Sequence, residues 1–416
     1  MTKVIVIGAG ITGITTAYSL ARRGYKVTVI EREPYPGMKT SYANGGQLSV
    51  SNSEVWNTYD NLWKAMKWVF KKDAPLLINP YPSVSKISWM ARFFLNTVLM
   101  KYEENTITTI EMGLRARELY FAIAEEEKIA FDLTKEGILH FYKNTNYYNS
   151  AVNACELYQQ NGVDRRVISL EEMAEIEPSL ASIHDIIGAT YTKDDANGDI
   201  HKFCRELASV LESKYKVEFN YNTTVTDLNK IYEIITVQTD NLHSNKCKTF
   251  VADQVVICGG VDSARLARMV IDTVPVYPVK GYSITIDLVN KAEQESAPYV
   301  SLLDDEAKIV TSRLGNRFRV AGTAELADYN YDIRKDRIDP LVNWVQSNFP
   351  GVSTEHCVPW AGLRPMTPNM LPIVRPSKTK YVWFNTGHGH LGWTLSAATA
   401  EQVADMIDAN PNDNKL

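Results

Sequence analysis

Three glycines and one acid near the N-terminus carry the strongest chemical signal in the sequence. Gly8, Gly10 and Gly13 stand in the G-x-G-x-x-G spacing, and Glu31 follows them. A glycine at 8 permits a tight turn. One at 10 lets the backbone approach a pyrophosphate, and one at 13 lets a helix lie close on a strand. The helix N-terminus then offers unpaired N–H groups and a positive dipole end to phosphate oxygens. Ile11 and Thr12 open that helix. The carboxylate of Glu31 can accept from ribose hydroxyls and disfavours a 2′-phosphate; Arg32 stands beside it. Together these residues describe a dinucleotide site, for FAD or NAD alike.

The surrounding elements are those such a site needs. Lys3–Ile7 reads as a buried parallel strand. A helix runs from about Ile11 to Arg23, with Ala17 and Leu20 on its packing face. Gly24 ends it, and Val27–Glu31 is the next strand. Thr40-Ser41-Tyr-Ala-Asn44-Gly45-Gly46-Gln47 is rich in small polar residues and glycine, which suits a loop pressed on a ligand. Ala252–Gly260 reads as a short buried strand running into the pair Gly259-Gly260, which returns the chain to the nucleotide fold.

Other chemistries are excluded. Five cysteines, Cys155, Cys204, Cys247, Cys258 and Cys357, form no C-x-x-C pair and no zinc spacing. The seven histidines contain no H-E-x-x-H, so no metal site is expected. Sparse, odd-numbered cysteines suggest reduced thiols and a cytoplasmic location. A net charge of −5 over 416 residues gives no support for nucleic-acid binding. No apolar run outside the glycine-rich start reaches the ~18 residues of a spanning helix. Trp63–Lys101 differs from the rest. It carries a net charge of +6, with Trp63, Trp68 and Trp89 among its lysines. That is the composition of a membrane-surface segment, or of a helical substrate domain with solvated lysines and core tryptophans.

Further along, Ile110–Glu127 reads as helix, and Asp199 caps a helix starting there. Val217–Tyr221, Thr224–Thr226 and Ile234–Gln238 alternate like strands. Pro275–Asp287, Lys308–Thr311 and Arg317–Gly322 read as strands of a second, antiparallel sheet. Gly362–Pro368 reads as a proline-punctuated turn. Tyr381–Asn385 is a strand, followed by Gly387-His388-Gly389-His390-Leu391-Gly392-Trp393-Thr394 and a closing helix to about Ile407.

These motifs, in this order, resemble the FAD-dependent D-amino acid dehydrogenase family, among the glycine, sarcosine and D-amino acid oxidase-like flavoproteins. The resemblance covers nearly the whole chain. It rests on Gly8–Glu31, Thr40–Asn44, the Trp/Lys stretch at 63–72, Lys280-Gly281-Tyr282-Ser283, Ala252–Gly260, Gly362-Leu-Arg364-Pro and Gly387–Thr394. The chain departs from the family pattern at Gly45, commonly alanine, and at His390, commonly a small polar residue.

The resemblance implies a Rossmann-like FAD domain with an inserted α+β substrate domain built on an antiparallel sheet. Segments 1–55, 188–262 and 356–416 are the expected FAD domain; 56–187 and 263–355 are the expected substrate domain. Val225 is expected by the adenine through its backbone, and Gly387–Thr394 past the flavin pyrimidine edge. The implied reaction is oxidative deamination. Hydride leaves the α carbon of an amino acid for flavin N5, and the imine hydrolyses to a 2-oxo acid and ammonia.

Arg364 matches the family position for the carboxylate partner. A guanidinium fork pairs both oxygens and stays charged. Tyr282 is a candidate second contact, and Lys280 a candidate for approaching the flavin ring. His388 is either a proton relay or a loop residue held by backbone bonds. The Trp63–Lys101 composition favours a quinone or other carrier as electron acceptor and peripheral attachment to the cytoplasmic face of the inner membrane. The alternatives are an oxygen-dependent oxidase of glycine, sarcosine, proline or D-amino acids, an NAD-dependent dehydrogenase, and a non-catalytic flavin-binding protein.

Overall fold

The structure is a computed structural model, and it describes residues 1–68, 76–244 and 246–410. Two large sheets organise it. The first has six strands in the order Ile373–Pro376, Val382–Thr386, Gln254–Ile257, Lys3–Ile7, Lys26–Ile30 and Glu218–Asn220. Five are parallel, and Ile373–Pro376 closes one edge antiparallel. Their Val/Ile-rich sequences suit strands covered on both faces. One face carries helices Ile11–Arg22, Tyr102–Glu127, Ile200–Ser213 and Gly392–Asp408. There Tyr120, Phe131, Phe203 and Trp393 interlock edge-on and tilted. The other face is covered by a three-stranded antiparallel sheet, Thr223–Ile231, Ile234–Asn241 and Cys247–Ala252. As expected, Asp199 caps its helix, accepting from the Lys202 N–H at 3.0 Å.

The second sheet has nine strands and is mostly antiparallel. Its order is Val358–Met366, Tyr277–Asp287, Arg317–Leu326, Ile309–Leu314, Ser301–Asp304, Ile138–Tyr142, Gly188–Thr192 and Arg165–Ile168, with Leu76–Ile78 added beside Arg317–Leu326. Two expectations change here. Residues 362–366 are not in a turn but end an edge strand. Pro359 and Pro365 are tolerated because an edge strand has one side without ladder bonds to lose. Strands Gly188–Thr192 and Val358–Met366 also belong to this second sheet. The segments 188–262 and 356–416 therefore supply both layers, not the nucleotide layer alone.

The glycine turn is held against its own sheet by close backbone contacts. Gly8 has φ +108°, and a Cβ there would lie 2.6 Å from the Cys258 carbonyl oxygen. A Cβ on Gly13 would lie 1.8 Å from the Gly8 carbonyl oxygen. Backbone on both sides cannot give way, so Gly13→Ala should cost about 3 kcal/mol through overpacking. We expect a thermal midpoint several degrees lower and loss of bound nucleotide on purification. A midpoint equal to the parent's would contradict this account.

Candidate active site

A cavity of about 800 Å³ runs from the nucleotide sheet to the second sheet. Its first arm is the dinucleotide groove, lined by Gly8, Gly10, Ile11, Thr12, Glu31, Arg32, Val225, Gly259 and Gly260. Gly10 begins the first helix without any side-chain cap, which leaves backbone donors facing the groove. The Ile11 N–H donates to Ser41 Oγ at 3.1 Å. Glu31 is held by the N–H groups of Ala9 and Glu33, and burial raises its pKa. Arg32 pairs with Asp262 at 2.9 Å. The Val225 carbonyl already accepts from Arg265, at 3.1 Å. Gly13 and Gly387 do not line the cavity. Gly387, at φ +78°, would put a Cβ 2.7 Å from Thr367 Cγ2, so both glycines serve packing rather than contact.

The middle of the cavity is floored by the loop from Thr40 to Ser49, which is pinned at nearly every residue. Thr40 Oγ1 donates to the Leu363 carbonyl at 2.6 Å. Asn44 folds an Asx turn onto the Gly46 N–H, and its own carbonyl accepts from Arg319. A Cβ on Gly45 would meet Val310 at 2.7 Å, which accounts for a glycine in that place. Gln47 donates to Ser301 Oγ and the Leu302 carbonyl. Opposite lie His388, Gly389, Leu391, Gly392, Trp393 and Thr394, where the closing helix begins, again without a side-chain cap. The Ser49 N–H donates to Thr394 Oγ1 at 3.3 Å.

Arg364 stands at the far end. It and Trp360 lie on one face of their strand, either side of Gly362. Gly362 is paired directly with Gly281 on the next strand. A Cβ on Gly281 would lie 2.4 Å from the Arg364 guanidinium carbon, and one on Gly362 would lie 2.1 Å from the Trp360 ring. Two bare positions thus seat one guanidinium and one indole. Arg364 donates to the Thr323 carbonyl at 3.2 Å. Among the described residues no carboxylate pairs with it, and burial alone pulls its pKa down to about 10. It is a half-buried cation waiting for an anion.

The remaining candidates separate. The Tyr282 ring lines the cavity, but its hydroxyl donates to Glu325 Oε2 at 2.6 Å, leaving the ring alone for contact. Lys280 turns elsewhere. Its Nζ donates to Asn330 Oδ1 and the Asp332 carbonyl, so it does not approach the cavity. The His388 ring is held by a side chain, not by backbone: Nε2 lies 2.8 Å from Thr399 Oγ1. Burial pulls its pKa down to about 3, so it is neutral near pH 7 and ill placed as a relay. His390 stacks on Trp56 with centroids 4.6 Å apart. Trp56 and Trp360 are cavity residues that motif reading does not reach. They lie outside any fixed spacing, and only the fold brings them to the cavity, where Trp56 meets His390.

The lining fits a large cofactor. A glycine cradle and two uncapped helix starts open on one cavity. Buried Trp393 Nε1 and both His390 ring nitrogens also lack partners there. A family model described as FAD dependent oxidoreductase matches residues 3–406. The chain belongs to this family of FAD-dependent oxidoreductases. FAD is its cofactor. A D-amino acid dehydrogenase 3 of Mesorhizobium japonicum is 49% identical over the full length of both chains. A D-amino acid dehydrogenase of Dechloromonas aromatica is 38% identical, covering 97% of this chain and 96% of its own. Among solved structures, glycine oxidase from Geobacillus kaustophilus superposes with a TM-score of 0.75 at 20% identity, covering 99% of this chain and 96% of its own. The oxidoreductase thus has the α/β fold of that group, as the resemblance implies.

His140 and His388, both 2% exposed, share a pKa pulled down to about 3 by burial. An unfolded histidine takes a proton near ~6.5. Between these values the unfolded chain binds more protons, so stability is full above about pH 6.5 and falls as the pH drops. At pH 5 each histidine should cost about 2 kcal/mol. Urea unfolding at pH 7 and pH 5 checks this, with His388→Asn expected to recover roughly half of the loss. Equal stability at both pH values would refute it.

Proposed function

We propose that the enzyme deaminates D-amino acids oxidatively to 2-oxo acids and ammonia, and hands the electrons to a quinone or other carrier. The observation that carries this reading is Arg364, a half-buried guanidinium with no carboxylate partner among the described residues. It supplies the fork that an amino-acid carboxylate needs. The curated relatives named D-amino acid dehydrogenase support the same substrate class.

Bound FAD supplies the two-electron acceptor. The groove residues from Gly8 to Arg32, the Thr40–Gln47 loop, Val225, Gly259-Gly260 and His388–Thr394 would hold it. Arg364 fixes the substrate carboxylate, and therefore where the α carbon lies. The Trp56–His390 stack, with Met90 and Phe93, walls off water. His388 and His390 are neutral near pH 7, so neither competes with Arg364 for the carboxylate. Rate then comes chiefly from position.

A peripheral membrane contact belongs to this reading. Helix Val84–Val98 turns Lys86, Trp89 and Thr97 inward and leaves Val84, Ile87, Met90, Phe94, Leu95 and Val98 exposed. A surface helix ordinarily turns such a stripe to the core. Leu99 and Met100 extend the patch, with Arg92 and Lys67 exposed near it. An apolar stripe edged by cations fits an anionic lipid surface, on the cytoplasmic face of the inner membrane. Trp89 packs in the core, while Trp63 is exposed beneath Lys67. Lys71, Lys72 and the side chains of Lys64 and Trp68 lie outside the described residues. No helix of the described residues is long and apolar enough to cross a membrane.

Anaerobic mixing with a panel of D- and L-amino acids should bleach the flavin band with D-isomers alone. Gly281→Ala pushes the guanidinium aside by about 1 Å and should reduce kcat/KM on the order of 10²-fold. Bleaching by L-isomers, or an unaffected Gly281→Ala, would sink the assignment. Vesicles containing anionic lipid should retain the protein at low salt, and Phe94→Glu should release it. Recovery of the parent in the supernatant would remove the membrane contact.

A further inference from the structure

The cavity has a second arm, reached past Glu54; Trp56, two residues on, lines the Arg364 arm. Its walls include His140, Tyr147, Arg165, Asp305 and Lys308. Arg165 is 3% exposed and donates to the Ser51 carbonyl, Glu54 Oε1 and the Tyr142 hydroxyl, each at 3.1 Å. Its Nε has no partner. His140 Nε2 lies 3.2 Å from Ser51 Oγ, and its Nδ1 also has no partner. The Ser51 hydroxyl also bonds the Asp195 carboxylate, which can only accept, so His140 Nε2 donates to Ser51 and Nδ1 is left an unpartnered acceptor. Lys308 pairs with Asp305 at 2.5 Å and lies over the Tyr147 ring.

The charges in this arm cancel in pairs, Arg165 with Glu54 and Lys308 with Asp305. A charged ligand finds no free opposite charge there. One buried donor, Arg165 Nε–H, and one buried acceptor, His140 Nδ1, remain unsatisfied, and each calls for a partner. At the mouth, the Tyr102 hydroxyl lies 3.3 Å from Glu54. Tyr102 follows directly on exposed Leu99 and Met100, at the end of the apolar patch. The arm therefore suits an uncharged molecule that offers a carbonyl oxygen to Arg165 and, once reduced, a hydroxyl to His140, arriving from an apolar surface.

We propose that this arm is the acceptor site, where Arg165 Nε donates to one carbonyl oxygen of a quinone and His140 Nδ1 accepts from the hydroxyl that forms as the quinone is reduced. The proposal rests on the reading that electrons leave for a quinone, and it locates where. The quinone takes up two electrons and two protons and becomes the hydroquinone. Both electrons and one proton come from the reduced flavin, which returns to its oxidised form, and the second proton comes from solvent.

The test separates the two half-reactions. Holoenzyme reduced anaerobically with dithionite is mixed with menadione, and reoxidation is followed at the flavin band. Menadione binding to the oxidised protein is measured by calorimetry. His140→Phe and Lys308→Met should each slow reoxidation at least tenfold and weaken menadione binding at least tenfold. Flavin reduction by a D-amino acid should stay within about twofold in both. Should His140→Phe lose its flavin, Lys308→Met, whose side chain lies at the edge of the arm, carries the comparison. Unchanged reoxidation and binding in Lys308→Met would overturn the proposal. So would slowed reduction by the amino acid, which would make the arm a substrate pocket. A wild-type protein that menadione neither binds nor reoxidises would overturn it too. Failure of every amino acid to reduce the flavin would defeat the donor assignment alone, since dithionite bypasses it.

Discussion

A lone, half-buried guanidinium is costly, and the architecture around Arg364 is arranged to carry that cost. Desolvation without a counter-charge ordinarily costs several kcal/mol. Here the charge is held by sheet geometry rather than by a partner. Gly281 and Gly362 face each other across two strands and together leave a trough. The guanidinium occupies one half and the Trp360 ring the other. Any side chain at either glycine would occupy that space. The position of the cation is thus set by backbone pairing, the stiffest feature of the second sheet.

That trough matters only because it lies against the nucleotide groove, and the Thr40–Ser49 loop brings the two together. Ser41 takes the first helix's N–H, Thr40 holds the strand that bears Arg364, and Gln47 and Gly45 reach the middle of the second sheet. One short segment therefore touches the phosphate-binding turn, the substrate clamp and the sheet core. Small residues are required along it because contacts on both sides are close.

Much of this was legible in the sequence, and what escaped has a common cause. The nucleotide turn depends on spacing within some thirty residues, so Gly8, Gly10, Gly13 and Glu31 announce it. The alternation of Val217–Tyr221, Thr224–Thr226 and Ile234–Gln238 marks strands of the nucleotide layer and its cover, and Asp199 shows as a cap. Arg364 was reachable through its motif, but the reason for its place was not. The pairing of Gly281 with Gly362 joins segments far apart in the chain. The same holds for Trp56 on His390. Pro365 and Pro368 suggested a turn because an edge strand cannot be told from a turn before the sheet order is known. Lys280 and His388 were placed by their motifs, whereas their partners, Asn330 and Thr399, come from elsewhere in the fold. Composition flagged Trp63–Lys101, yet only the structure shows that its apolar stripe faces outward.

The strand order also sets a timetable. Lys3–Ile7 is made first, but its inner neighbour is Gln254–Ile257, with Val4 beside Gln254. At ~5–20 residues per second, on the order of tens of seconds pass on the ribosome before that partner exists. The Val382–Thr386 strand and the closing helix come later still. The glycine turn, chemically complete within a few dozen residues, therefore has no finished groove until those later segments have been made. Cofactor capture waits on them, and a chain released before them carries the fingerprint without the pocket.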